Sequence, residues 1–218
     1  MSSSGPRAPA QLRLAVLLSG SGTTLQNLMD LAAAGELPAE IALVVSSRRD
    51  AFGLERAKKA GIPTAVLRPR DFPSGAEFTS GVFEKLEEAG AELVLLAGFM
   101  VKIGVPARWA NRVMNVHPAL LPAFGGKGLY GHFVHEAVLA AGCKVTGATV
   151  HFVDREYDHG PIVLQQAVEV REDDTAETLA ARVQAAEREL YPQAVRLFAA
   201  GRLAAEGRRV RILPEGAR

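Results

Sequence analysis

The sequence predicts an α/β protein with a doubly wound, mostly parallel sheet and an antiparallel extension in its C-terminal half. Three observations carry this. Short apolar runs at Leu12–Leu18, Ile41–Ser46, Thr64–Leu67 and Leu93–Ala97 alternate with helix-period segments up to Val113. The first run ends in the turn Ser19-Gly20-Ser21-Gly22-Thr23-Thr24, directly before a helical pattern. After Val113 the alternation stops, and two longer runs, Lys144–Val153 and Pro161–Val170, are joined by a short polar loop, which suits antiparallel pairing.

Taken in order, Leu12–Leu18 has the continuous apolar character of a strand buried on both faces. The helix after it places Leu25, Leu28, Met29 and Ala32 on one face and ends near Gly35. Strand, glycine turn and helix together point free backbone N–H groups at an anion, with Thr23 or Thr24 as candidate caps. The turn is neither a full dinucleotide fingerprint nor a Walker loop, so phosphate binding and a plain βα turn are both open from the turn itself.

Arg48 and Arg49 follow the second strand, Phe52–Ala60 reads as a helix stopped by Gly61, and Arg68–Gly75 is a Pro/Gly loop carrying Arg68 and Arg70. The helix Ala76–Ala89 turns Phe78, Val82, Phe83 and Leu86 inward. Gly98-Phe99-Met100 forms an apolar lip, and Pro106–Asn111 a short helix. The segment Val113–His117 is extended, so Asn115 and His117 share one side before Pro118 and Pro122 end the strand. Four glycines in Gly125–Gly131 suggest a mobile lid. His132–Ala141 is a helix whose His132 and His135 read as a solvated start. His151 reads as a strand residue supporting the site, and His159 as exposed. Asp174 or Thr175 caps a long helix running to about Ala200, with Leu179, Val183, Ala186 and Leu190 inward and Glu187 beside that face.

The bulk numbers narrow the function classes. With 218 residues, 48% hydrophobic content and a net charge of +1, the chain builds one large core and carries no field for nucleic acid or anionic membrane. The single cysteine, Cys143, excludes an internal disulfide, disfavours a thiolate metal site and reads as a packing group. Residues 1–11 are expected to be a disordered leader, not a secretory signal; 12–206 a single domain; and 207–218 a basic strand and tail. No apolar run reaches membrane-spanning length, so a cytoplasmic protein is expected. Asn115, His117 and Asp158 supply an amide, an imidazole and a carboxylate, the parts of an acyl-transfer site: an oxyanion donor, a proton shuttle and a group that orients the imidazole.

Five stretches in order, Leu17–Leu25, Ala51–Ala57, Leu96–Met100, Asn115-Val116-His117-Pro118 and Asp158-His159-Gly160-Pro161-Ile162, resemble the glycinamide ribonucleotide formyltransferases, folate-dependent enzymes of purine synthesis. The resemblance covers about Leu12 to Leu203. It implies a Rossmann-like formyltransferase fold and transfer of the formyl group of 10-formyltetrahydrofolate to the amine of 5′-phosphoribosylglycinamide, with no metal. It implies a catalytic set of Asn115, His117 and Asp158, and ribonucleotide contacts at Gly22, Thr23, Thr24, Gln184 and Glu187. The folate walls it implies are Met100, Val101, Lys102 and Ile103 together with Asn115 and Asp154 to Asp158. Asp158 is expected to raise the pKa of His117. The partners implied are small molecules, without nucleic acid or membrane, in a monomer or weak homodimer. The chain departs at Gly75, where members can place a base for the folate tail, and neither Arg68 nor Arg70 aligns there. A deformylase would carry an added N-terminal domain, and a methionyl-tRNA formyltransferase an added C-terminal one; neither is expected here.

Overall fold

In the computed structural model, which describes residues 11–216, nine strands form one sheet. They are β1 (Leu12–Leu18), β2 (Ala39–Ser46), β3 (Thr64–Val66), β4 (Leu93–Leu96), β5 (Val113–His117), β6 (Val145–Phe152), β7 (Ile162–Glu169), β8 (Leu203–Glu206) and β9 (Arg209–Ile212). The spatial order is 3-2-1-4-5-6-7-9-8. The first five strands are parallel; β6 and β7 are antiparallel additions, as the sequence predicts. The order reverses between β1 and β4, so the crevice for a ligand lies beyond the carboxyl ends of these two strands. The expected leader falls almost wholly outside the described residues. The expected tail begins inside a hairpin, because β8 pairs with β9.

Five α-helices cover the sheet: α1 (Thr23–Ala33), α2 (Phe52–Lys59), α3 (Gly75–Glu88), α4 (His132–Ala140) and α5 (Ala176–Ala199). Alternate residues of β1 face opposite cores. Leu14, Val16 and Leu18 pack with α1, α2, α4 and α5, while Ala15 and Leu17 pack with α3. Each fully buried leucine here contributes about 2 kcal/mol of transfer free energy. Cys143 is a partly buried member of the first core, as a packing group would be.

Two helix starts differ in kind. Gly22, in left-handed geometry, is the N-cap of α1 with no side-chain cap, so Thr23 and Thr24 are the first helical residues rather than caps. Thr175 caps α5 through a reciprocal pair with Thr178.

Helix α5 contains Pro192 in its interior, which has no N–H for the carbonyl of Arg188. Asn27 of α1 donates its side-chain amide to that carbonyl at 2.9 Å, tying α1 to α5. Tyr191, fully buried, donates its hydroxyl to the carbonyls of Met114 (2.8 Å) and Leu96 (3.2 Å), tying α5 to β4 and β5.

Candidate active site

The register of β5 and β6 assembles the centre of the site. Asn115 lies opposite His151, and His117 opposite Thr149, so all four side chains share one face. The His151 ring places Nδ1 2.9 Å from the carbonyl of Phe152, so Nδ1 carries the hydrogen and Nε2 accepts from the Asn115 amide at 3.2 Å. The second hydrogen of that amide points at Asp158 Oδ1 across 3.5 Å, a contact loose enough to give up to a ligand oxygen.

His117 is held from both sides. Its Nε2 donates to the carbonyl of Phe124 at 2.8 Å, and its Nδ1 faces Asp158 Oδ1 at 3.6 Å. Asp158, at φ 53°, receives the backbone N–H of Gly126 on its other oxygen at 3.0 Å and lies 3.6 Å from His151 Nε2. Gly125 allows this approach, since a Cβ there would meet Leu121 Cδ2 at 2.5 Å and Asp158 Cβ at 3.2 Å. The glycine-rich segment expected to be a lid is therefore anchored to the site at Phe124 and Gly126. Thr149 secures the stretch before it, accepting from Leu121 N and donating to the carbonyl of Ala119.

Asp158 raises the His117 pKa as expected, but burial outweighs it. Burial pushes the His117 imidazole below its usual range and outweighs both the negative charge of Asp158 and the Phe124 carbonyl, which pull it up. His117 is thus neutral at pH 7, with a lone pair on Nδ1. Burial pushes Asp158 up, but the imidazoles of His151 and His117 beside it and the Gly126 N–H together bring it below the usual carboxylate value. Asp158 is therefore ionised.

His132 is exposed, but His135 is buried, contrary to the solvated helix start expected for both. The adjacent Val134 and Val138 belong to the main core, so this face of α4 is turned inward, and burial lowers the His135 pKa. His159 is largely exposed and carries hydrogen bonds to Asp154 and Arg208.

The other predicted residues fall around this centre. The Ser19 loop meets the Gly98 lip: Ser19 N donates to the carbonyl of Gly98 at 3.0 Å, and Met100 N donates to Ser19 Oγ at 2.9 Å. Met100 is exposed, Val101 half-buried and Lys102 exposed, while Ile103 turns its side chain into the α3-side core. Lys102 Nζ sits 4.9 Å from the centre of the Tyr157 ring, so the Met100–Ile103 and Asp154–Asp158 segments touch. Gly22 is buried, with Thr23 and Thr24 beside it.

Gln184 and Glu187 lie three residues apart on α5 and so share a face; Glu187 is half-buried, and burial pushes its carboxyl up to about 7 against the charge of Arg188. Arg48, Arg49, Arg68 and Arg70 gather around one hollow of about 480 Å³ at the ends of β2 and β3. Among the described residues no group of three or more metal-ligating side chains occurs, and no helix is long and apolar enough to cross a membrane.

Sequence reasoning missed the backbone groups of Phe124 and Gly126, the Asn27–Arg188 tie and the depth of His135. Of these only the tie left a local signal, the proline inside a helical pattern.

A doubly wound sheet with an amide, an imidazole and a carboxylate at its carboxyl edge, beside a glycine turn opening a helix, defines a group-transfer enzyme of the Rossmann-like kind. The model of the formyl transferase family matches residues 12–195. The chain is 40% identical over 194 residues to a phosphoribosylglycinamide formyltransferase of Haemophilus influenzae, covering 88% of this chain and 89% of that protein. It is 43% identical over 204 residues to the trifunctional purine biosynthetic protein adenosine-3 of Bos taurus, covering 92% of this chain and 20% of that protein. The chain spans about a fifth of the length of this and the Gallus gallus and Homo sapiens relatives of the same description. Glycinamide ribonucleotide transformylase 1 from Symbiobacterium toebii superposes with a TM-score of 0.89 at 45% identity, covering 98% of this chain and all of that one. The chain belongs to the phosphoribosylglycinamide formyltransferase family of formyl transferases.

Proposed function

We propose that the protein transfers the formyl group of 10-formyltetrahydrofolate to the primary amine of 5′-phosphoribosylglycinamide, giving formylglycinamide ribonucleotide and tetrahydrofolate in purine biosynthesis. The observation that carries this is the convergence of Asn115 and His117 on Asp158 Oδ1, at 3.5 and 3.6 Å, in a chain of this family.

In this reading the folate lies between the Met100–Ile103 and Asp154–Asp158 segments. Met100 and Tyr157 expose apolar surface on its two sides, and Val101, Lys102, Asp154 and the Ile103 backbone complete the walls. The folate bound there supplies the formyl carbon. The Asn115 amide, aligned by His151, releases its long contact to Asp158 and donates to the formyl oxygen as negative charge grows on it. Neutral His117 offers Nδ1 to the proton leaving the attacking amine. Ionised Asp158 stabilises the imidazolium that results, then lets the proton pass to the departing nitrogen. No atom is left over: the amine loses one proton and the folate nitrogen gains one.

The ribonucleotide is held at both ends. The N–H groups of Gly22, Thr23 and Thr24 receive its phosphate at the positive end of α1. The Gln184–Glu187 segment of α5 reaches the ribonucleotide, with Glu187 on the ribose. Tyr191, one turn beyond Glu187, ties α5 to β4 and β5.

The test is absorbance-monitored turnover of 10-formylfolate with and without glycinamide ribonucleotide. Turnover only with the ribonucleotide is expected. Turnover without it would make water the acceptor, and the reading would fail.

A further inference from the structure

The segment Ala51–Ala57 has no part in the chemistry above, yet α2 leans directly on the phosphate loop. A Cβ on Gly22 would meet Gly53 Cα at 2.6 Å, and a Cβ on Gly53 would meet Gly22 Cα at 3.2 Å, so loop and helix touch backbone to backbone. From this side α2 takes two consecutive loop carbonyls. Gly53 N donates to the carbonyl of Gly20 at 3.1 Å, and Arg56 Nε donates to the carbonyl of Ser21 at 2.9 Å.

In a trans peptide the C=O and the N–H of one plane point in opposite directions. Drawing the Gly20 and Ser21 carbonyls toward α2 therefore turns the N–H groups of Ser21 and Gly22 away from it. The Arg56 guanidinium is itself held, since Nη1 donates to Gln26 Oε1 at 3.0 Å and the group sits 4.9 Å from the centre of the Phe52 ring. These same side chains line a hollow of about 360 Å³ between α1 and α2.

We propose that Arg56 is a positioning residue for the phosphomonoester of the substrate: it grips the Ser21 carbonyl and thereby aims the Gly22 N–H, acting through the loop rather than on the phosphate. This rests on the reading of Gly20–Thr24 as the phosphate site. The role calls for arginine specifically, because a fork makes both hydrogen bonds in one plane while an ammonium makes one at a time.

The test compares wild type, Arg56→Gln and Arg56→Lys on glycinamide ribonucleotide and on the same compound lacking its phosphate. For Arg56→Gln, KM for the ribonucleotide should rise about tenfold, the effect of losing one charge-assisted hydrogen bond, with kcat within about twofold. Turnover of the unphosphorylated compound should not change, and Arg56→Lys should recover only part of the loss. Equal losses on both compounds would mean a general structural role, and full recovery by lysine would mean simple charge attraction; either overturns the proposal. Gln26→Ala, which frees one side of the guanidinium, should shift KM in the same direction by less.

Amide spectra titrated with inorganic phosphate test the same point without turnover. Wild type should show saturable shifts at Gly22 and Thr23, and Arg56→Gln weaker ones. If wild type ignores phosphate, the reading of the loop fails; if both proteins bind it equally, only the role of Arg56 fails.

Discussion

Asn27 completes the hydrogen bonding of Arg188, across 161 positions of sequence, because Pro192 withholds the helical N–H that the Arg188 carbonyl would otherwise receive. The contact fixes the turn of α5 that carries Glu187. Asn27→Ala should cost about 1 kcal/mol, the net worth of one such bond. It should also raise KM for the ribonucleotide more than it changes kcat. Urea unfolding and steady-state kinetics check the two halves separately.

The role proposed for Asn115 is charge stabilisation in the transition state rather than binding. Asn115→Ala should lower kcat by about 10²–10³-fold, the usual loss for one oxyanion donor. KM for either substrate should change little. A fall seen only in KM would place Asn115 in ground-state binding instead.

Asp158 holds a negative charge 3.6 Å from His117 Nδ1, and that charge is what opposes burial in the titration of the ring. Asp158→Asn keeps the left-handed backbone, which asparagine tolerates, and keeps an acceptor for Gly126 N–H. The His117 pKa should therefore fall further in this variant, and turnover should fall with it. Imidazole resonances followed against pH report the first effect. An upward shift would contradict the balance of forces argued for this ring.

Stability should decline on the acid side. His117 and His135 both have folded-state pKa values below 6.5, so the neutral ring is favoured by folding. Their contribution is complete above pH 6.5 and is lost as pH falls below it, because the unfolded chain then binds protons more readily. Glu187 acts with the opposite sign. Its folded value of about 7 lies above the ordinary 4.5, so it favours the folded state at low pH and loses that effect as pH rises through about 7. Glu187→Gln should therefore steepen the acid loss between pH 7 and 5, measured as the shift in urea midpoint.

Gly160 stands where no other residue fits, since a Cβ there would lie 1.8 Å from the carbonyl oxygen of Phe152. Gly160→Ala should destabilise the fold by about 1–3 kcal/mol through forced backbone movement. Because Gly160 closes the loop of Asp158, kcat should drop even where the protein remains folded. Thermal unfolding and turnover on the same preparation test this.

The sequence by itself determined the parallel half, the antiparallel addition and the pairing of Asn115 with His117 on one strand face, but not the strand β8. These rest on local periodicity: apolar runs set buried strands, glycines set the turns, and a two-residue spacing sets a shared side. Tertiary structure alone decided the rest. Opposing His151 to Asn115 needed the β5–β6 register, and holding His117 and Asp158 needed the Phe124 carbonyl and the Gly126 N–H, which any residue type can offer. The burial of His135 depended on which face of α4 turns to the core. The charge of His117 is a sum of burial against a neighbouring carboxylate. The pairing was readable in advance, but the burial, which decides the sign, exists only once the chain is packed.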